Sequence, residues 1–311
     1  MCSMSSDRFG LVSDTADMMK PTCVFCLGSV FQDDIFHRPV IFQGLVRRYS
    51  RCRGCGSRSL SPMPESEELR KLYTKEYFSD TGPDQQGGHP RNHKWVLDNL
   101  PEAGEGLFVD LGCGDGELLR LAAERGYDVL GVEVDQKSAD AAELECGCPI
   151  RTFDDLPNYS EQASAVHLGD VLEHVADPES LIREAMVLLR PGGLLLVQGP
   201  LEANRSLFNM VLAAVAVFRR SVPVTNPPYH VHLVTSRGQE GFFQRLGFRT
   251  LTYQLSDISW PAPSRFELAL TGNPRRLALY LCRRLSTAAR PLAPRVLSNR
   301  FEYIGRYTIQ E

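Results

Sequence analysis

The sequence feature that most constrains the fold is an apolar run that breaks into alternating glycines, at residues 107–119 (LFVDLGCGDGELL). The apolar residues predict a buried strand, and residues 117–126 that follow predict a helix. Between them, Gly112, Gly114 and Gly116 allow a tight turn and a close approach to a ligand that side chains would block. A buried strand, glycine turn and helix in this order are typical of an α/β fold with a nucleotide-like ligand.

The acidic residues around this turn indicate which cofactor it can hold. Asp110 and Asp115 bracket the glycines, and their charge would repel the pyrophosphate of a dinucleotide. S-adenosylmethionine carries a sulfonium and an ammonium group and no phosphate, so acidic surroundings suit it. With DLGCGDG at residues 110–116, the chain resembles the class I S-adenosylmethionine-dependent methyltransferases. A turn without a ligand and a nicotinamide or flavin fold are the alternatives.

The resemblance implies a doubly wound, mostly parallel, seven-stranded α/β sheet, and further residues that contact the cofactor. The second strand, at 128–134, ends at Glu133, where a carboxylate accepts hydrogen bonds from ribose hydroxyls, with Asp135 as the alternative. Asp154 or Asp155 would accept from the adenine amino group, unless they only form a solvated turn.

A second match to the family is LEHVADP at residues 172–178. The fourth strand would end at Asp170, which then faces the cofactor ammonium or the substrate. The turn after it exposes Glu173 and His174 at the carboxyl edge of the sheet, and Asp177 followed by Pro178 predicts the start of a helix. His174 is one candidate for the base that deprotonates the methyl acceptor.

The segment YHVHL at residues 229–233 supplies the other candidate catalytic residues, Tyr229, His230 and His232. Sugar C-methyltransferases that the chain resembles have Tyr-His-Glu-His-Leu here, so Val231 in place of glutamate argues against carbanion chemistry. Alternate residues of an extended segment share a face, which predicts that His230 and His232 point the same way. The alternative is that the histidines are only hydrogen-bonded in a lid. The overlapping NPPY at 226–229 matches a base-methylation motif but follows strand five, not strand four.

Two C-x-x-C pairs predict a zinc ribbon at residues 21–64, ahead of the methyltransferase domain at 65–311. Four thiolates satisfy a tetrahedral Zn²⁺ and leave no open position, so the site would be structural, unless the thiols are a redox pair or incidental. This module also resembles that of bacterial methyltransferases acting on sugars and natural products. The four predicted ligands are Cys23, Cys26, Cys52 and Cys55.

The remaining segments are less specific. Residues 1–20 are predicted to be a flexible tail, and residues 67–78 an amphipathic stretch. In the family that the chain resembles this stretch covers the cofactor pocket, which would make Tyr73 and Tyr77 lid or substrate residues; the alternative is that they pack in the core. A helical insertion at 260–300 contains, from residue 274, seven arginines and no acidic residue. This predicts either contact with a membrane or a carrier-linked substrate, or a solvated arginine face.

Composition narrows the class of function. A formal net charge of −4 argues against a dedicated nucleic-acid binder, and the chain lacks both an apolar leader and a membrane-spanning run, which predicts a cytoplasmic protein. We therefore expect methyl transfer from S-adenosylmethionine to oxygen or nitrogen of a small metabolite, a sugar or natural-product intermediate. Methylation at carbon, a nucleic-acid methyltransferase with the zinc module as a clamp, and a non-enzymatic binding module are the alternatives.

Overall fold

The computed structural model describes most of the chain as two sheets with flanking helices. The described residues are 22–73, 90–104, 106–207, 209–211, 214, 222–225, 227–257 and 274–307. Tyr77 and Asn226, named in the sequence analysis, lie outside this set, and so do the predicted tail and part of the helical insertion.

The cysteine-rich segment forms a small antiparallel sheet. Strand β3 pairs on its two sides with β1 and β4, and β2 pairs with its first half. The two C-x-x-C pairs lie at turns of this sheet, before β1 and between β3 and β4. The strands are β1 (Phe31–Asp33), β2 (Val40–Phe42), β3 (Leu45–Cys52) and β4 (Arg58–Ser61).

Helices and strands alternate along the rest of the chain, as expected for a doubly wound sheet. The first helices are α1 (Ser66–Arg70) and α2 (Pro90–Asn99). They are followed by β5 (Leu107–Leu111), α3 (Glu117–Ala123), β6 (Val129–Glu133), α4 (Gln136–Cys146), β7 (Ile150–Thr152), β8 (Ala163–Gly169), α5 (Pro178–Leu188) and β9 (Leu189–Pro200). The last elements are β10 (His232–Leu233), α6 (Ser236–Arg245), β11 (Phe248–Ser256), α7 (Pro274–Ala289), α8 (Pro294–Leu297) and β12 (Arg300–Tyr307).

The large sheet has seven strands in the order β11-β12-β9-β8-β5-β6-β7. Strand β12 is antiparallel to both of its neighbours, and the other pairs are parallel. Strands β5, β6 and β8 are almost entirely buried, because helices cover both faces of the sheet. The predicted mostly parallel, Rossmann-like sheet is thus confirmed.

Two acidic residues form the starts of helices near the carboxyl edge of the large sheet. The Asp135 carboxylate accepts hydrogen bonds from the backbone N–H groups of Lys137 and Ser138 at the start of α4. Asp177 does the same for Glu179 and Ser180, and Pro178 occupies the first turn of α5. Helix α4 therefore begins directly after β6, and α5 begins after the turn that follows β8. Both turns lie at the carboxyl edge of the sheet.

The two sheets are joined by β10, which follows the large sheet's fifth strand in sequence but pairs with β4. His232 lies opposite Ser59, and Leu233 lies opposite Arg58. The cysteine-bearing sheet is therefore completed by a strand from the C-terminal part of the chain, and the two sheets are linked by hydrogen bonds along this seam.

The arginine-rich segment at 274–300 packs partly against the rest of the chain. Arg283 is buried in α7, Arg295 pairs with Glu240, and Arg300 lies buried in β12. Leu281 and Leu285 on α7 are exposed. Contact of this segment with a membrane or a carrier-linked substrate stays a prediction. Within the described ranges, no helix is long and apolar enough to cross a membrane.

Candidate active site

The glycine turn between β5 and α3 forms an open cradle at the carboxyl edge of the sheet. All three glycines have positive φ, of 76°, 60° and 75°. A side chain at Gly112 would come within 2.8 Å of Val171, and one at Gly116 within 2.6 Å of Cys146. A side chain at Gly114 would meet nothing within 4 Å, so this residue faces the space in which a ligand can lie.

Glu133 lies next to this opening, at the end of β6. One carboxylate oxygen accepts from the Gly114 N–H at 2.7 Å and the other from the Val134 N–H at 3.1 Å. Burial raises the pKa of Glu133 to about 7, with Asp110 and Asp135 adding to the rise. Because Asp135 is engaged at the start of α4, Glu133 is the better placed of the two predicted ribose partners.

Asp110 is buried at the carboxyl end of β5. Its carboxylate lies 2.7 Å from Nδ1 of His167 on β8, whose Nε2 lies 3.1 Å from the side-chain nitrogen of Gln198. Gln198 donates to Nε2, so His167 carries its proton on Nδ1 and donates to Asp110. His167 was not predicted from the sequence, although a histidine inside the apolar run of β8 indicates a buried polar partner.

The two aspartates predicted to reach adenine differ in their surroundings. Asp155 accepts hydrogen bonds from the backbone N–H and hydroxyl of Thr152, both at 3.3 Å, and so fixes the turn after β7. Asp154 is exposed. The contact of either residue with adenine stays a prediction.

Asp170 follows β8 in a left-handed conformation, with φ of 56°. Its two oxygens accept hydrogen bonds from the two terminal nitrogens of Arg300, at 2.6 and 2.8 Å. Burial acts to raise the pKa of Asp170, but the Arg300 guanidinium outweighs it and holds this pKa below its usual value. Arg300 was predicted from the sequence only as one of the arginines of the basic segment, and not as a partner of Asp170.

Glu173, His174 and His230 form a compact cluster beside this ion pair. One ligating atom from each residue lies within 4.8 Å of those of the other two. The imidazole rings of His174 and His230 meet edge to face, with centroids 4.7 Å apart. The turn at 170–174, which carries Glu173 and His174, lies against the cradle at Val171, whose side chain fills the space beside Gly112.

Each histidine of the cluster is oriented by an acceptor on its Nδ1 atom. His174 Nδ1 lies 2.6 Å from the carbonyl oxygen of Tyr229, and His230 Nδ1 lies 2.7 Å from the carboxylate of Glu202. Both nitrogens must donate, since a carbonyl and a carboxylate only accept. The lone pair of the neutral ring is then on Nε2, which in His174 lies 3.8 Å from a Glu173 oxygen.

The protonation of the cluster is strongly shifted. Burial, followed by the negative charge of Asp170, raises the pKa of Glu173 to about 8. Burial, followed by the positive charge of His230, lowers the pKa of His174 to about 4. Burial acts to lower the pKa of His230, but Glu202 outweighs it and raises this pKa to about 9.

His232 lies elsewhere, in the seam between the two sheets. Its Nδ1 lies 2.8 Å from the Ser59 hydroxyl, its Nε2 lies 3.2 Å from the Ala176 carbonyl, and its ring meets Phe25 edge to face. His230 and His232 therefore contact different partners. Since β10 begins only at His232, the alternation of an extended strand does not reach back to His230.

The cysteine sheet holds the segment that carries His230. The Tyr49 hydroxyl donates to the His230 carbonyl at 2.5 Å, and the Leu60 N–H donates to the Val231 carbonyl at 2.9 Å. Tyr49 and Leu60 are both buried. The position of His230 thus depends on β3 and β4.

The four N-terminal cysteines lie together as the spacing predicts. The Sγ atoms of Cys23 and Cys55 are 3.7 Å apart, and those of Cys26 and Cys52 are 3.5 Å apart. All four sulfur atoms lie within 4.8 Å of one another. This cluster is compatible with a tetrahedral metal ion such as zinc.

Comparison with known proteins agrees with this geometry. A family described as "Methyltransferase domain" matches residues 89–253, more than half of the chain. A ubiquinone biosynthesis O-methyltransferase of Proteus mirabilis is 32% identical over 31% of this chain and 44% of that protein. The same enzyme of Cupriavidus pinatubonensis is 34% identical over 41% of this chain and 53% of its own length. The chain thus spans about half the length of these curated relatives.

Among solved structures, the methyltransferase in a complex with the Haloferax volcanii Trm112 activator is similar in fold. Its TM-score is 0.52 at 17% identity, and the match covers 78% of this chain and 99% of that one. This likeness supports the fold alone. The family match extends over the glycine cradle, Glu133 and the cluster turn, and on this ground the chain belongs to the methyltransferase-domain family.

Proposed function

We propose that this enzyme transfers the methyl group of S-adenosylmethionine to a hydroxyl oxygen of a small metabolite. The observation that carries the proposal is the cluster of buried Glu173 with half-buried His174 and His230, whose turn at 170–174 lies against the cofactor cradle. An oxygen acceptor must lose its proton to become an effective nucleophile, and this cluster provides groups that can assist. The naming of the relatives as O-methyltransferases is consistent with oxygen as the acceptor atom.

In the proposed complex, the chain holds the cofactor by its nucleoside and amino-acid parts. Glu133 would accept from the ribose hydroxyls, the Gly114 backbone allows close approach, and Asp154 or Asp155 would face adenine. Asp110 and the Asp170–Arg300 pair would face the ammonium and carboxylate end of the cofactor. When bound, S-adenosylmethionine would supply an electrophilic methyl carbon, and the residues around it would hold the acceptor oxygen in line with the carbon–sulfur bond.

The four cysteines are proposed to bind a structural zinc ion. Their four sulfur atoms fill a tetrahedral coordination shell, so this ion would have no position open for substrate. Its proposed role is to fix β3 and β4, and through Tyr49 and Leu60 the segment carrying His230.

Two alternatives receive less support. The sugar C-methyltransferases that the chain resembles have a glutamate at the position of Val231. In this chain Val231 is fully buried and has no ionisable group. Nucleic-acid methylation is disfavoured by the net charge of −4. The acceptor is therefore proposed to be an uncharged hydroxyl compound, of which phenols, sugars and natural-product intermediates are the classes to test.

The test is to incubate zinc-loaded protein with S-adenosylmethionine and a panel of phenols and sugar hydroxyl compounds, with product detection by mass spectrometry. We expect a methyl ether and one equivalent of S-adenosylhomocysteine. Glu173→Gln should lower turnover at least tenfold, whereas Glu124→Gln, an exposed change at the far end of α3, should not. Methylation only at carbon, or cofactor binding without turnover of any member of a panel that includes the true acceptor class, would remove the proposal.

A further inference from the structure

We propose that His167 and Gln198 are positioning residues, which hold Asp110 as the negative charge that binds the ammonium group of S-adenosylmethionine. This inference rests on the cofactor of the proposed function, but not on its methyl acceptor. The three residues lie on neighbouring central strands of the large sheet, with Asp110 in β5, His167 in β8 and Gln198 in β9. Their exposed fractions are 4%, 4% and 2%, so the group is buried inside the sheet.

The hydrogen bonds of this group fix the protonation of the histidine. Nδ1 of His167 lies 2.7 Å from Oδ1 of Asp110, and Nε2 lies 3.1 Å from the side-chain nitrogen of Gln198. An amide nitrogen can only donate, so Nε2 must be the unprotonated acceptor of the ring. The ring proton is then on Nδ1, and the imidazole is neutral. Gln198 thus selects the tautomer in which His167 donates to Asp110.

A neutral donor holds the Asp110 carboxylate in place without cancelling its charge. In the part of the chain that the structure describes, no arginine or lysine forms an ion pair with Asp110. Asp170, at the same edge of the sheet, differs because it is paired with Arg300. A buried carboxylate is costly unless it is compensated, and a cationic ligand is one way to compensate it. Of these two aspartates, Asp110 is therefore the one whose charge remains for a bound cation.

The second oxygen of Asp110 is available to a ligand. Among the described residues, none donates a hydrogen bond to Oδ2. His93 on α2 also faces Asp110, but burial lowers the pKa of His93 below its usual value, so this ring is neutral at pH 7 and brings no positive charge. Asp110 lies two residues before Gly112, and a ligand in the glycine cradle can therefore present its ammonium group to Oδ2 in a charge-assisted hydrogen bond.

The inference divides recognition of the cofactor between two carboxylates. Glu133 is proposed to contact the ribose of the nucleoside part, and Asp110 the ammonium of the amino-acid part. Without the His167 donor, the Asp110 carboxylate loses its fixed orientation, so ligands that carry the ammonium group should bind more weakly. If His167 only stabilised the sheet, its loss would weaken every adenosine ligand alike.

The test measures the binding of three ligands to the zinc-loaded full chain by isothermal titration calorimetry. S-adenosylmethionine carries a sulfonium and an ammonium group, S-adenosylhomocysteine carries the ammonium alone, and methylthioadenosine carries neither. In His167→Leu we expect the first two ligands to bind at least tenfold more weakly, and methylthioadenosine to bind within about twofold of wild type. His167→Gln, whose amide can still donate to Asp110, should recover most of the lost affinity.

A second variant and a matched control accompany this test. Gln198→Leu removes the donor that fixes the tautomer of His167, and should weaken the same two ligands about threefold or more. The control is Ser164→Ala, a buried change on the same strand as His167, where the hydroxyl contacts only the Leu107 carbonyl. This control should bind all three ligands as the wild type does, and thermal unfolding shows which variants are folded.

The outcomes separate the inference from the proposed function. Equal losses for all three ligands, or no loss, in folded His167→Leu and Gln198→Leu would overturn the inference alone. Wild-type protein that binds none of the three ligands would refute the proposed cofactor, and the inference with it. The expected pattern of binding without any methylated oxygen product would support the inference and count against the proposed acceptor.

Discussion

The cofactor assignment is most sharply tested at Glu133. This carboxylate is buried, receives hydrogen bonds from Gly114 and Val134, and has a pKa raised to about 7. To accept from both ribose hydroxyls it must be ionised. A hydrogen bond to a charged group contributes about 1.5 to 3 kcal/mol, so Glu133→Gln should weaken S-adenosylmethionine binding by roughly 10- to 150-fold.

The same pKa predicts a pH dependence of binding. Below pH 7 the cofactor must first displace a proton from Glu133, so the dissociation constant should rise by about tenfold between pH 8 and pH 6. The charged groups that face it are Asp110 and Asp135, and both disfavour its ionisation. Neighbouring Cys113 remains neutral across this range because burial raises its pKa.

The assay is isothermal titration calorimetry of the zinc-loaded protein with S-adenosylmethionine at pH 6 and pH 8. In Glu133→Gln the tenfold pH difference should disappear, because glutamine does not titrate. The control is Asp135→Asn, which alters the start of α4 and should leave affinity at pH 8 within about twofold of wild type. Wild-type affinity in Glu133→Gln, or a large loss in a folded Asp135→Asn, would refute the assignment to Glu133.

Three further changes test the parts that support the site. Tyr49→Phe removes the hydrogen bond to the His230 carbonyl and should lower kcat while leaving the dissociation constant of S-adenosylmethionine unchanged, as steady-state kinetics and calorimetry can show. Cys52→Ser should reduce the amount of bound zinc, measured by atomic absorption, and should lower the midpoint of thermal unfolding, because structural zinc contributes to folding. Full zinc retention in this variant would contradict the prediction. Asp170→Asn leaves the buried Arg300 guanidinium without its carboxylate, so we expect the free energy of unfolding, measured with urea, to fall by about 3 kcal/mol. A fall below about 0.5 kcal/mol, as for an ordinary surface substitution, would show that the ion pair does not stabilise the fold.

Several features could be predicted from the sequence because they depend on neighbours along the chain. The strand, turn and helix at 107–126 follow from apolar periodicity and from glycines whose positive φ the turn requires. The position of Glu133 beside the glycine turn could be predicted because it ends the next strand along the chain. Each C-x-x-C pair lies in one tight turn, so the four cysteines come together when the two turns lie side by side.

The roles of the histidines and of Asp170 were decided by the tertiary structure. Arg300 reaches Asp170 across 130 positions of the chain, and Glu202 reaches His230 across 28. No local pattern encodes these pairs, because they form only when β12 and the segment after β9 meet the carboxyl edge of the sheet. The same holds for His232, which looks equivalent to His230 in the sequence but is buried against Ser59 once β10 pairs with β4. Apolar periodicity and turn residues thus determined the strand, turn and helix of the glycine cradle, whereas long-range packing decided which polar side chains meet at the carboxyl edge of the sheet.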